Sequence, residues 1–183
     1  MLFETHPHFF PPRTRWRNRV LVRWSARRAG RVLTVSRYSR GQITAAYGVP
    51  PDRVAVVHNG VAPAGAAAEA ELPAAVPRGT RYVLSVGRLE PRKNVRLLLD
   101  ALDRVRDPAA RLVVVGRDDF ERPDGLDRLA ADPRVVHLVD VPDAQLAALY
   151  RNAAALVFPS LGEGWGIPVL EATTPTPRDE LPE

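Results

Sequence analysis

Residues 112–115 read Leu-Val-Val-Val, an unbroken apolar run dominated by β-branched side chains. A strand with one face in water alternates apolar and polar residues. An unbroken run is what a strand needs when helices cover both faces of its sheet. The same chain supplies such helices: Val95, Leu98, Leu99 and Leu102 recur at helical spacing on one face. Further short apolar runs at 31–35, 54–58, 82–86, 135–139 and 155–158 read as strands. Helical patterns occupy 38–47, 143–152 and the stretch from Ile167, where Pro168 suits a first turn because its missing N–H needs no partner there. This alternation predicts an α/β protein built on parallel sheets. An additional helix is expected over 13–28, with Val20, Leu21 and Trp24 near one face.

Residues 62–79 are dominated by Ala, Pro and Glu and show no apolar periodicity, so they read as a linker. The chain then divides into 1–61, the linker 62–79, and 80–183. Its 183 residues suit one domain, or one domain with part of another. Pro175 and Pro177 interrupt the last helix. Two α/β parallel-sheet units are expected.

An apolar content of 45% with 26% charged residues is that of a soluble globular chain. With no cysteine, a disulfide framework and thiolate metal sites are excluded, and no cluster has metal-ligand spacing. No apolar run approaches the ~20 residues that cross a bilayer. The opening MLFETHPHFFPP lacks the basic-then-apolar order of a signal peptide, so a cytoplasmic location is expected. Charge is unevenly spread. Residues 1–60 carry eleven Arg against Glu4 and Asp52, a net +9, while fifteen basic and nineteen acidic groups give the remainder −4. Such a block suits an anionic surface. The competing reading is a set of arginine-rich helix faces, and the 25 Arg beside a single Lys favour it. That lysine is Lys93.

Two segments carry chemistry. In FPSLGEGWGIPVLEA (158–172), a strand leads into a glycine loop and a helix, with Glu163 on the loop and Glu171, eight positions on, about one turn into the helix. Gly164 and Gly166 allow the backbone to bend and approach a ligand. A carboxylate accepts two hydroxyl hydrogen bonds, which suits sugar and ribose recognition. On spacing alone the plainer reading is a strand–helix corner with two solvated glutamates. In SVGRLEPRKN (85–94), Gly87 permits a tight exit from a strand, Asn94 is a favoured N-cap, and Arg88 and Lys93 precede the helix N-terminus. Helix dipole, Arg fork and Lys charge there suit a phosphate. Alternatively, Arg88 bridges Glu90 and Lys93 is a solvated cap residue.

The 158–172 segment resembles the E-x7-E motif of retaining glycosyltransferases of the GT-B fold, glycosyltransferase family 4 in particular. SVGRLEPRKN resembles the same family's donor-phosphate loop, and VSRYSRGQITAAYGVPPDRVAVVHNGV (35–61) the end of its N-terminal domain. Three motifs in order are more specific than any one. The resemblance implies a GT-B type fold of two Rossmann-like parallel-sheet units, both incomplete, in which 1–61 closes an acceptor-side domain and 80–183 binds a nucleoside-diphosphate sugar, without cofactor or metal. It implies sugar transfer to an acceptor hydroxyl (glycan, lipid or small molecule) with retention. Arg88 and Lys93 would stabilise the departing diphosphate, Glu163 would contact the sugar, Glu171 the ribose, and the backbone of Gly164 and Gly166 would line the pocket. LFETHPHFF resembles a strand-end His-Asp pair near the reacting sugar, with Pro7 in place of Asp, which puts His6 among the candidates. Trp165 is expected to pack rather than stack on a ligand, and His58-Asn59-Gly60 to form a plain turn. The family's chains are longer at both ends, so a fragment with impaired activity is expected. A non-catalytic remnant that binds nucleotide weakly is the alternative, and a nucleotide-sugar epimerase a lesser one. The basic segment 13–40 leaves peripheral membrane contact open, whereas nucleic acid is disfavoured.

Overall fold

The computed structural model describes residues 2–60, 70–118 and 126–173. The chain divides into two compact units, Met1–Gly60 with Gly162–Gly166, and Val61–Leu161 with Ile167–Glu183.

In the first unit, α1 (Leu2–Thr5) and a 3-10 turn (Pro7–Phe9) precede α2 (Pro12–Arg28), β1 (Val32–Thr34), α3 (Arg37–Tyr47), a second 3-10 turn (Pro51–Arg53) and β2 (Val54–Val56). Pro12 opens α2 with its φ preset for helix. Helix α3 is bounded at both ends: the Ser36 hydroxyl accepts from the Ser39 N–H at 3.0 Å, and Gly48 closes it in the left-handed region at φ 65°. The strands β1 and β2 pair in parallel, Val32 opposite Val54. Tyr47, Val49 and Val54 are buried together with Ile43, Ala46, Val32 and Ala26 packed against them.

The face expected from Val20, Leu21 and Trp24 is not buried. Helix α2 has no buried residue, and Trp16, Leu21 and Trp24 are all more than half exposed. On a helical projection Arg13, Arg17 and Arg28 fall on that same face, and Ala26 is the α2 residue packed on the Tyr47 cluster. Some of the arginine block is structural: the Arg27 Nε–H donates to the Tyr47 carbonyl at 2.8 Å, and Arg53 donates to the carbonyls of Arg27 and Ala29.

The second unit runs β3 (Tyr82–Val86), a 3-10 turn (Pro91–Lys93), α4 (Val95–Leu102), β4 (Arg111–Val115), α5 (Leu126–Ala131), β5 (Val135–Leu138), α6 (Asp143–Asn152), β6 (Ala155–Leu156) and α7 (Ile167–Thr173). Its four strands lie in the order β5-β4-β3-β6, all parallel. Strand β4 shows why its sequence is unbroken. Leu112 and Val114 face a cluster with Val95, Leu98, Leu99 and Leu102 of α4, while Val113 and Val115 face Tyr82, Leu84 and Leu149. Strands β2 and β6 end sooner than expected, yet the Val57 and Val157 N–H groups still donate across the sheets, to Thr34 and Leu84 at 2.8 Å each.

The linker reading fits poorly over 70–79. Val76 is buried and Leu72 packs against the same cluster as Tyr82 and Leu84. Two apolar residues in an Ala- and Pro-rich turn carry no periodicity, so their burial leaves no pattern to read. Residues 62–69 and the break expected at Pro175 and Pro177 lie outside the described residues. Nor do Asn59 and Gly60 use positive φ, and 58–60 forms no turn; His58 Nδ1 lies 3.1 Å from the Val35 carbonyl.

Candidate functional site

Ligands of open α/β sheets bind beyond the carboxyl ends of the strands. At that end of β3, Gly87 leaves the strand at φ 146°, a conformation that favours glycine. Its N–H donates to the Val115 carbonyl at 2.9 Å, and the Gly116 N–H to Leu138 at 2.9 Å. The loops after β3 and β4 are pressed together: a Cβ on Gly116 would lie 2.0 Å from the Gly87 carbonyl oxygen. Gly116 went unremarked in the sequence, although a glycine closing a β-branched run is a signal for close backbone approach.

Beyond Gly87, Arg88 is exposed and Leu89 is buried. The turn Pro91–Lys93 is fixed by the Lys93 N–H donating to the Glu90 carbonyl at 2.8 Å. The Glu90 carboxylate pairs with Arg92. Asn94 departs from the expected cap. Its backbone is left-handed (φ 53°, ψ 43°) rather than extended, and its side chain makes no capping bond. Its Nδ2 instead reaches the Pro159 carbonyl at 3.5 Å, the outer limit of a hydrogen bond. The Leu161 N–H donates to the Arg92 carbonyl at 2.9 Å. The turn before α4 is therefore stitched to the segment leaving β6, which pairs with β3 in parallel and exits at the same end of the sheet.

That stitching places the lone lysine. The Lys93 side chain folds back over Gly87, where a Cβ would meet its Cε at 3.1 Å and its Nζ at 3.3 Å. The ammonium stands 4.4 Å from the centroid of the Phe158 ring. Lys93 and Phe158 are 65 positions apart, and nothing in the sequence signals the contact. Next to Phe158 and Pro159, the Ser160 hydroxyl is buried without a hydrogen-bond partner among the described residues.

Glu171 lies on α7 and is half-buried; its Oε2 accepts from the Tyr150 hydroxyl at 2.7 Å. Burial first, then that hydrogen bond and the carboxylate's charge, push the Tyr150 phenol well above its ordinary range. Tyr150 therefore stays a donor and fixes the carboxylate's direction. Sequence reasoning missed Tyr150.

Glu163, Gly164 and Gly166 belong with the first unit. The Gly164 carbonyl accepts from the Ser39 hydroxyl at 3.4 Å, and Gly166 has φ 81°. Trp165 packs on the His58 ring, with centroids 4.5 Å apart and planes at 23°. Glu163 is half-buried. His6 is not at a strand end: it sits between α1 and the Pro7–Phe9 turn, bonded to the Thr5 hydroxyl at 3.0 Å and stacked on Phe9. Pro7 explains this, because it fixes the turn and keeps the preceding residue out of the helical region. A cleft of about 730 Å³ lies elsewhere, lined by Asp103, Arg106, Asp107, Arg128 and Arg134. It opens at the amino ends of β4 and β5, away from Lys93, and its charges are largely paired with one another.

The family model "Glycosyl transferases group 1" matches residues 70–174, and "Glycosyltransferase Family 4" matches 2–64. The chain belongs to the group 1 glycosyltransferases. Among curated relatives, this glycosyltransferase chain is 30% identical to the O-antigen chain mannosyltransferase RfbU of Salmonella typhimurium, over 90% of its own length and 46% of the relative's. It is 36% identical to a D-inositol 3-phosphate glycosyltransferase of Frankia alni, over 78% and 39% respectively. It thus spans less than half the length of these two relatives. Its fold matches that of Anabaena HepE, solved in complex with UDP-glucose, at a TM-score of 0.68 and 23% identity over 91% of this chain and 47% of that one. Sucrose-phosphate synthase of Thermosynechococcus elongatus matches at 0.64, with 22% identity over 87% and 41%. These neighbours share the expected GT-B architecture. Among the described residues of this glycosyltransferase, no helix is long and apolar enough to cross a membrane.

Proposed function

We propose that the second unit holds the diphosphate of a nucleoside-diphosphate sugar, and that the complete protein transfers the sugar to an acceptor hydroxyl with retention. The observation that carries this reading is the Lys93 ammonium, held between Gly87 and Phe158 at the carboxyl end of β3, directly before α4. The UDP-glucose bound by HepE, a neighbour in fold, supports a nucleotide-sugar donor. Departure of the diphosphate is the demanding step, and a preorganised cation lowers its barrier by electrostatic stabilisation. Arg88 supplies a second positive charge. Glu171, aligned by Tyr150, accepts ribose hydroxyls, and Glu163 contacts the transferred sugar. His6 has no role in this reading.

The test is a titration with UDP, GDP and ADP followed by melting temperature, since a ligand of the folded state alone raises it. Replacing Lys93 by Ala is expected to weaken binding about tenfold or more, from the loss of ~1.5–3 kcal/mol of charge-assisted bonding. Equal shifts in the unsubstituted chain, Arg88→Ala and Lys93→Ala would sink the proposal. Retention is read from the anomeric configuration of the product.

A second reading concerns α2. Trp16 is 70% exposed and Trp24 57%, set among seven arginines with no acidic residue. Indole rings and arginines together suit the interface of an anionic membrane. Sedimentation with anionic but not zwitterionic vesicles, lost at high salt and in Trp16→Ala/Trp24→Ala, is the expected result. Equal sedimentation with both vesicle types, or none, would refute it.

A further inference from the structure

We infer that Phe158 is a positioning residue, which holds the Lys93 ammonium in its diphosphate-facing place. The inference rests on the donor-phosphate reading above. A lysine stem is flexible, and fixing it in one direction costs rotamer entropy. Three features supply the restraint. The 3-10 turn and the left-handed Asn94 fix where the stem begins. Gly87 gives it a floor, since a Cβ there would press on Cε and Nζ at 3.1 and 3.3 Å. The Phe158 ring closes the other side at 4.4 Å from Nζ.

The chemistry of that last partner matters. The negative face of an aromatic ring attracts a cation. Ring and ammonium are both half-buried, so water weakens the attraction less than at an open surface. Residue choice agrees: a chain that uses arginine 25 times uses its single lysine here. A compact ammonium fits over Gly87 and against the ring, where a planar guanidinium would be broader.

The single lysine also makes the test direct. Reductive 13C-dimethylation of the full chain labels Lys93 and the terminal amine only, and preserves the charge. In the unsubstituted chain the Lys93 methyl resonance is expected upfield of free dimethyl-lysine through the ring current. Phe158→Tyr should keep that shift and Phe158→Leu should lose it. In unlabelled protein, inorganic pyrophosphate provides a base-independent probe by calorimetry. Phe158→Leu is expected to bind it about fivefold more weakly, with Phe158→Tyr near the original, as a contact of ~0.5–2 kcal/mol implies. Melting curves of the two variants separate loss of positioning from loss of fold. An unshifted resonance in the unsubstituted chain overturns the inference. So does pyrophosphate affinity unchanged in Phe158→Leu while Lys93→Ala loses it. If pyrophosphate binds none of these proteins although the upfield shift depends on Phe158, the contact is real but the donor-phosphate reading fails, and the positioning role fails with it.

Discussion

Leu33 of β1 and Leu84 of β3 are the same residue in the same kind of parallel strand. Leu33 is 67% exposed and Leu84 is fully buried. The second unit lays helices against both faces of its four-stranded sheet, so β3 and β4 have apolar partners above and below. The first unit has two strands and one apolar cluster around Tyr47, Val49 and Val54, and it relies on arginine-to-carbonyl bonds from Arg27 and Arg53. An apolar strand pattern therefore states what a strand is able to bury, and the neighbouring elements decide whether it does. The candidate groups whose contacts are best defined, Lys93 and Glu171, are carried by the unit with the two-sided core.

The largest expected effect tests that contrast. Leu84→Ala should cost about 2–5 kcal/mol, as a large-to-small change in a packed core. Leu33→Ala should stay within about 0.5 kcal/mol. Urea melts of the two variants measure both values, and similar costs would break the comparison. Amide exchange sharpens it strand by strand: N–H groups of β3 and β4 should exchange much more slowly than those of β1 and β2.

Next in size is a pair of glycines. Gly116 leaves no room for a methyl group, because the nearest atom is the Gly87 carbonyl oxygen 2.0 Å away. Backbone must move, so Gly116→Ala should cost roughly 1–3 kcal/mol or more and displace the loop that carries Arg88. At Gly164 a Cβ would meet Val35 Cγ2 at 3.5 Å and the Ser39 hydroxyl at 3.6 Å, both ordinary contacts. Gly164→Ala should therefore melt close to the unsubstituted chain while weakening the response to nucleotide sugar, the outcome expected of a backbone that lines the pocket as the family resemblance implies. A stable Gly116→Ala, or an unstable Gly164→Ala, would reverse which glycine serves the fold and which the site.

Most of the strand and helix order was legible because each element carries its own period: α4 repeats at helical spacing, and β4 is continuously apolar. What escaped the sequence has a common physical cause. Phe158 against Lys93, Tyr150 against Glu171 and Trp165 on His58 join residues far apart in the chain, and each depends on side-chain direction rather than on residue type. Asn94 was misjudged because Asn serves both an N-cap and a left-handed turn. Val76 was lost in a stretch where composition said linker and a single side chain said core. His6 matched a motif in letters, but Pro7 replaced the acid that would have accompanied it and fixed a turn instead.

The smallest effects belong to two tyrosines, one in each unit. Tyr82 and Tyr47 are both buried, but the Tyr82 hydroxyl donates to the Leu149 carbonyl at 2.8 Å, whereas the Tyr47 hydroxyl has no hydrogen-bond partner among the described residues. Tyr82→Phe should cost about 0.5–1.5 kcal/mol, while Tyr47→Phe should be neutral or slightly stabilising, since a buried hydroxyl without a partner contributes only its desolvation cost. Burial pushes both phenols up to about 12 from 10.0; at Tyr47 the charge of Glu4 adds to the rise and Arg19 opposes it. A folded-state pKa above the unfolded one favours the protonated, native form. This contribution is complete below pH 10 and is lost as pH rises toward 12. Each Phe variant should thus show a shallower fall in stability across that alkaline window than the unsubstituted chain, whatever its cost at neutral pH. Urea melts at several pH values separate the two quantities. A Tyr47→Phe variant as costly at neutral pH as Tyr82→Phe would mean that the Tyr47 hydroxyl is bonded in solution, and that the smaller core is fastened through it as well.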